Sequence, residues 1–317
     1  MEYKRYELHF APLQGYTDHI FRNTFERYFG AIDAWYTPFI RVEKEGFRKR
    51  DIRDIDKEVN TVGCLIPQIL PGTREEFRKL ADMLCENEYR VADINLGCPF
   101  PPIAGKRKGA GMLPYPDLVE EMLGTIEEYP EMQFSVKMRL GWESTGECIL
   151  LCDLLNSLRL DHITLHARTG KQQYKGETQP DAFACFYECS KQSLFYNGDL
   201  CSVEDIGKIL DRFPLLRGVS LGRGLLASPF IGKEFKENRT FWEQQRMSIC
   251  FSFHEALFSA YARVLQGDTQ LLLKMKNMWE YFLPGTDRKL LKRIRKATKL
   301  SQYIEVVGNI WKNEAGR

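Results

Sequence analysis

Val91-Ala92-Asp93-Ile94-Asn95-Leu96-Gly97-Cys98-Pro99 is the stretch on which the reading of this chain turns. An apolar, β-rich run stops at Gly97 and presents a thiol at its end, the pattern of a short buried strand. A basic loop bounded by glycine follows, Lys106-Arg107-Lys108-Gly109-Ala110-Gly111. A strand tip bearing a thiol beside such a loop is where an α/β enzyme places its chemistry. Local sequence leaves a second option open, because most free cysteines are small buried apolar residues. The rest of the chain has to decide.

Outward from that stretch, short apolar runs recur at 8–11, 34–36, 65–70, 91–96, 134–138, 162–166, 194–197 and 219–221. Segments of helical periodicity lie between them at 18–28, 73–87, 116–128, 148–158, 180–190 and 202–212. Thr73 before Glu76 and Ser202 before Asp205 are the cap residues that helix starts prefer. Strands alternating with helices predict parallel pairing with both faces covered. Eight such units match a (β/α)8 barrel, whereas a doubly wound sheet would want a G-x-G-x-x-G after the first strand, which is missing. Beyond Phe235 the strand signal ends, and helices are expected at 240–266, 268–282 and 288–311. The predicted fold is therefore α/β: a TIM barrel over residues 1–238 and an all-helical C-terminal domain over 239–317.

The nine cysteines contain no C-x-x-C pair, which predicts reduced thiols in a cytoplasmic protein and neither a disulfide framework nor a metal site. Mean hydropathy is −0.37, and no run of about 18 apolar residues exists to span a membrane. Met1-Glu2-Tyr3-Lys4-Arg5-Tyr6 lacks the apolar core of a signal peptide. The formal net charge is +2, but from Phe241 onward thirteen basic residues face seven acidic ones, leaving +6 on the tail and −4 on the body. That asymmetry predicts a polyanionic partner. The chain is expected to act as a monomer.

In a barrel, function sits at the carboxyl ends of the strands. Those ends carry Pro12, Gln68, Asn95 with Cys98, Lys137 with Arg139, His166, Asn197-Gly198-Asp199 and Gly222-Arg223-Gly224. The last two groups end strands seven and eight, where barrels commonly bind phosphate through backbone N–H groups, and Arg223 could fork onto its oxygens. Lys137 suits an electron-rich ring whose developing negative charge it stabilises, or else Schiff-base chemistry. His166 is either a donor to ligand or a satisfied core histidine.

Taken in order and spacing, the chain resembles the tRNA-dihydrouridine synthase family over residues 8–235. The carriers are Ala11-Pro12-Leu13-Gln14-Gly15-Tyr16-Thr17-Asp18, Gln68, Asp93 to Pro99, Gly109-Ala110-Gly111-Met112-Leu113, and Val136-Lys137-Met138-Arg139-Leu140-Gly141-Trp142. They continue in Leu165-His166-Ala167-Arg168-Thr169, Gln173-Tyr174-Lys175-Gly176, Asn197-Gly198-Asp199 and Leu221-Gly222-Arg223-Gly224. The resemblance implies an FMN-binding barrel, NADPH as reductant, hydride transfer to C6 of a flipped-out uracil in the tRNA D-loop, and a cysteine that protonates C5. By position, Cys98 is that acid, and a cysteine near its free pKa of about 8.5 holds the proton it must give. Ala11, Pro12, Leu13 and Gln68 would line the isoalloxazine, with Lys137 near its N1/O2 edge. Asn197, Gly198, Asp199, Gly222 and Arg223 would hold the phosphate, with His166 close by. Asn95 and Tyr174 are the expected groups for the base edge, and Arg41 and Arg139 the expected RNA contacts on the barrel. Lys274, Lys276, Tyr281 and Arg295 are the expected tRNA contacts on the tail.

One departure stands out. The family usually carries a lysine or arginine shortly after Cys-Pro, whereas Phe100-Pro101-Pro102-Ile103 follow here. Lys106, Arg107 or Lys108 would have to supply that charge, or the loop meets RNA differently. Length and tail pattern look most like the subfamily acting at D-loop position 16. Two rival readings are a free-pyrimidine flavoenzyme resembling dihydroorotate dehydrogenase, and a non-catalytic tRNA-binding protein.

Overall fold

The computed structural model describes residues 5–44 and 46–315, so Met1–Lys4 and the charge on Arg317 lie outside the described residues. Nine parallel strand segments form one sheet: β1 (Glu7–Phe10), β2 (Ala34–Tyr36), β3 (Leu65–Ile66), β4 (Gln68–Ile69), β5 (Val91–Leu96), β6 (Gln133–Gly141), β7 (Leu160–Thr169), β8 (Leu194–Asn197) and β9 (Gly218–Leu221). Their neighbour order is β3-β2-β1-β9-β8-β7-β6-β5-β4. β3 and β4 are halves of one strand, split at Pro67, which has no N–H to give a ladder. β3 pairs with β2 and β4 with β5, so the two ends of the sheet meet in that strand. Ile40 reinforces the closure, donating to the Gln68 carbonyl and accepting from Leu70 N–H. The result is an eight-stranded (β/α) barrel with no free edge.

The helices start where side chains satisfy their first N–H groups. Asp18 accepts from Phe21 N–H ahead of His19–Tyr28, Thr73 from Glu76 ahead of Arg74–Glu86, and Ser202 from Asp205 ahead of Val203–Arg212. Strand side chains alternate. Leu8, Phe10, Ile94, Leu96, Val136, Met138 and Leu165 are fully buried with the hydrophobic core, while the alternate positions His9, Asp93, Ser135, His162, Thr164 and Ser220 form a buried polar set.

At the amino-terminal floor His9 and His162 belong to a closed polar ring. His9 Nε2 meets Glu7 at 3.0 Å, and its Nδ1 meets the Tyr36 hydroxyl at 2.9 Å. That hydroxyl is 3.0 Å from His162 Nε2, whose other nitrogen meets Asp161 at 2.7 Å. Arg217 donates to both Asp161 and Glu7 and completes the circuit.

After Ile231–Glu237, which ends on Asn238 in the left-handed conformation, the tail forms helices Glu243–Val264, Gly267–Met278, Arg288–Lys296 and Leu300–Ala315. The single helix expected at 288–311 is corrected to two. Ala297 turns extended, its carbonyl accepts from Lys276, and Gln302 caps the N–H groups of Thr298 and Lys299. The tail docks on the first barrel unit through Phe253, whose ring meets Phe21, Phe25 and Phe29. Tyr261 donates to Asp18 at 2.8 Å, and Tyr16 donates to Glu280 at 2.6 Å.

The expectation of nine reduced thiols is also corrected. Cys152 and Cys189 form a disulfide between two helices packed on the barrel's outer face, and the other seven cysteines are free. The partners lie 37 residues apart, so no local spacing announces them. Among the described residues no helix is long and apolar enough to cross a membrane.

Candidate active site

Cys98 is held by a buried hydrogen-bond chain that starts deep in the barrel. Ser135 and Gln68 donate to the Asp93 carboxylate at 2.6 and 2.7 Å. Asn95 donates to Gln68 at 2.8 Å, and its own oxygen accepts from the backbone N–H groups of Gly97 and Cys98. Arg139 donates to the Gly97 carbonyl at 3.0 Å. Gly109, at φ +56, lies so close that a Cβ there would come within 2.9 Å of Cys98, so only glycine lets the following loop close over the thiol. Burial pushes the Cys98 thiol up, against a backbone hydrogen bond from Phe100 and the charges of Arg139, Arg41 and Lys137. The thiol is therefore protonated at neutral pH.

Strand register brings the other groups into line. Asn95 sits opposite Lys137, Arg139 opposite His166, His166 opposite Asn197, and Asn197 opposite Ser220. Burial, then the Arg139 charge, pushes the Lys137 ammonium down to about 8. Its one hydrogen-bond partner among the described residues is Asn197, at 3.1 Å. Burial and four surrounding cations hold His166 well below its ordinary value, so it is neutral at pH 7. Asp199 is exposed, and its carboxylate is gripped by Arg168 and by Arg223. The Tyr174 ring lies against the guanidinium groups of Arg223 and Arg139, 4.5 and 5.4 Å from its centroid.

A cavity opens at this carboxyl end with about 770 Å³ of empty space including its mouth. Ala11, Pro12, Leu13, Gln68, Asn95, Cys98, Lys137, Arg139, His166, Tyr174, Asn197, Gly222 and Arg223 all line it. Gln14, Phe39, Gly97 and Pro99 also line it and had been given no role from sequence. Gly198, Asp199 and Arg41 are not part of the lining, and Arg41 is paired with Glu43. Arg168 is the main omission: it is fully buried, and its Nε has no partner. The signal for it was an arginine inside a strand, where a buried charge needs a reason.

Two of the expected RNA contacts are occupied within the chain. Lys274 bonds the Gly15 carbonyl and Asp18, and Lys276 bonds the Ala297 carbonyl. Lys108 is paired with Glu76, and the Arg107 guanidinium stacks over Tyr115. Arg295 is exposed, and Tyr281 lines an outer cavity contiguous with the first.

The donor set fits a flavin. A half-buried ammonium with a single acceptor is stabilised when an electron-rich group completes its hydrogen bonds. Lys137 is such an ammonium on the cavity wall, and neutral His166 and the cation Arg223 line the same cavity.

A family model described as dihydrouridine synthase (Dus) matches residues 9–307. The chain belongs to the dihydrouridine synthase family. As a dihydrouridine synthase family member it is a flavin-dependent oxidoreductase. It is similar to tRNA-dihydrouridine synthase B of Pasteurella multocida, 25% identical over 232 residues, covering 70% of this chain and 66% of the relative. It is also similar to tRNA-dihydrouridine(16) synthase of Pseudomonas putida, 28% identical over 247 residues, covering 75% and 76%. The chain thus spans about two thirds to three quarters of the length of these relatives. Among solved structures, morphinone reductase superimposes with a TM-score of 0.53 at 10% identity, covering 76% of this chain and 89% of that one. The old yellow enzyme homologue from Zymomonas mobilis gives 0.53 at 11%, covering 75% and 90%. At such identities the likeness speaks to the barrel fold alone.

Proposed function

We propose that this protein is a tRNA-dihydrouridine synthase that uses FMN and NADPH to reduce the C5=C6 bond of a D-loop uridine. The observation that carries the reading is a protonated, half-buried Cys98 thiol at the mouth of a cavity whose wall holds the half-buried Lys137 ammonium. When bound, reduced FMN supplies the hydride for uracil C6, and NADPH regenerates it. Ala11, Pro12 and Leu13 would lie against the flavin ring, with Gln68 and Lys137 at its edge. Asn197, Gly222, Arg223 and neutral His166, which line the cavity, would hold its phosphate, and Asp199 would keep Arg168 and Arg223 in place.

Hydride addition at C6 leaves enolate character at C5 and O4 of the uracil. Cys98 donates its proton to C5, forming the new C–H bond and leaving a thiolate that solvent reprotonates. Arg139, Arg41 and Lys137, which already act on this sulfur, stabilise the transient thiolate. Asn95 holds the thiol's turn and keeps one N–H for the base edge. The uridine must leave its stack to reach the sulfur. The exposed Arg295 and the half-exposed Arg41 suit the phosphate backbone of the tRNA, and affinity should fall steeply with salt.

The test is to map dihydrouridine in tRNA from a strain lacking the protein. Wild-type protein is expected to restore it at position 16, and Cys98→Ala is not. Failure of the wild type to restore dihydrouridine at any D-loop position would overturn the reading.

A further inference from the structure

The outer cavity above Cys98 is an aromatic vestibule, with Tyr16, Phe39, Phe100, Tyr174 and Tyr281 among its lining residues. Three of these rings are tied down. Tyr16 and Tyr281 meet edge to face at 5.5 Å, and Tyr174 lies against Arg139 and Arg223. Phe39 is half-buried. Phe100 is the most exposed of the five, at 58%.

Its backbone, in contrast, is rigid. Pro99 precedes it and Pro101-Pro102 follow, and a residue before proline is restricted to extended backbone. Phe100 sits at φ −63, ψ 121, as the cap of the short helix Pro101–Ala104, and its carbonyl accepts from Ile103 and Ala104. Its N–H reaches the Cys98 sulfur. A large apolar ring is thus displayed to solvent on a preorganised turn, in the lining of the outer cavity that Arg223 also lines. Such a ring contributes little to the core, and fixing it beforehand lowers the cost of binding a flat partner.

Resting on the reading that the substrate is a D-loop uridine, we propose that Phe100 is a stacking residue for the nucleobase adjacent to the target. The target uracil has to descend past Phe100 to the Cys98 sulfur. Its departure from the RNA stack strips one neighbouring base of a stacking partner. Phe100, one proline beyond the reacting sulfur and outside it, supplies the replacement face. Stacking on an aromatic ring tolerates any base, so the contact holds the strand in register without reading its sequence. It also gives the Phe-Pro-Pro segment a role distinct from that of a basic residue: it grips a base where a lysine or arginine would grip a phosphate.

The experiment uses the full-length flavin-loaded protein and an unmodified tRNA transcript. Phe100→Ala and Phe100→Leu should each lower kcat/KM for the tRNA about tenfold, chiefly through KM. Phe100→Tyr and Phe100→Trp should stay within about twofold of wild type, since any aromatic face stacks. The rate at which NADPH reduces the bound flavin should not change in any of the four, because Phe100 stands outside the flavin end of the cavity. The ring's exposure means that none should lower the melting temperature. An alanine variant indistinguishable from wild type would overturn the assignment, as would a leucine variant that behaves like phenylalanine, which would make the ring a mere apolar filler. Those outcomes leave the enzyme reading standing. A wild-type protein that forms no dihydrouridine would overturn both.

Discussion

The two ends of the barrel interior are built from the same kinds of residue and do opposite things. At the floor, Glu7, His9, Tyr36, His162, Asp161 and Arg217 close a ring in which each polar side chain meets two others. At the mouth, Lys137 has one partner and the Cys98 thiol is held protonated in a cavity. A satisfied buried network rigidifies a core, whereas an incomplete one is unfavourable until a ligand completes it. Polarity inside a barrel therefore does not mark a site; incompleteness does.

The largest effect that tests this contrast is Cys98→Ala. Loss of a positioned general acid is expected to slow dihydrouridine formation by about 10²–10⁴-fold. Flavin reduction by NADPH and the melting temperature should stay close to wild type, which stopped-flow absorbance and calorimetry would check. Lys137→Met comes next. Removing an ammonium that awaits a ligand should weaken flavin retention by about tenfold or more while leaving the fold as stable or more so. A variant that purifies with a full complement of flavin would break the contrast at the mouth.

The floor should respond in the opposite sense. Tyr36→Phe leaves a buried nitrogen on each of His9 and His162 without its hydroxyl partner, at a cost of about 1–3 kcal/mol in unfolding free energy. The kcat for tRNA should be unchanged; a variant that loses activity without losing stability would make the floor part of the site. The smallest effect is in pH. The hydrogen bonds from His9 and His162, joined by Arg217, hold Glu7 and Asp161 down to about 2, against ordinary values of 4.5 and 3.8. Burial holds His9 below 6.5. All three groups are lowered in the fold, so their stabilisation is present above the ordinary values and is lost as pH falls. Urea midpoints should therefore decline gently below about pH 6.5 and more steeply from about pH 4.5 towards 2. Glu7→Gln should flatten the lower part of that curve.

Much of the frame was legible in the chain. The strands at 34–36, 91–96 and 194–197 lie where their apolar runs predicted, and Thr73 and Ser202 cap the helices they were expected to cap. Cys98, Lys137, His166 and Asn197 could be placed at strand ends because a parallel barrel sends every strand's carboxyl end to the same face. The run at 65–70 looked continuous, but Pro67 divides it, and the division falls where the barrel closes. The helix at 288–311 looked continuous too, since its break at Ala297 depends in part on Lys276 reaching in from the preceding helix, beside the local cap by Gln302.

Partnership was the part that could not be read. Basic residues at 274, 276 and 108 look alike along the chain, yet each is spent on an acceptor brought near only by folding. Asp199 holds two arginines, Arg168 and Arg223, which chain position does not show. Cys152 found Cys189 across two helices. The sequence by itself determined the alternation of strands and helices, the order of the strand ends and the chemistry each could bring, because those follow from periodicity and residue type. Only the tertiary structure decided which polar groups are satisfied and which wait for a ligand. Satisfaction depends on atoms within about 3 Å of one another, and chain position does not set that distance.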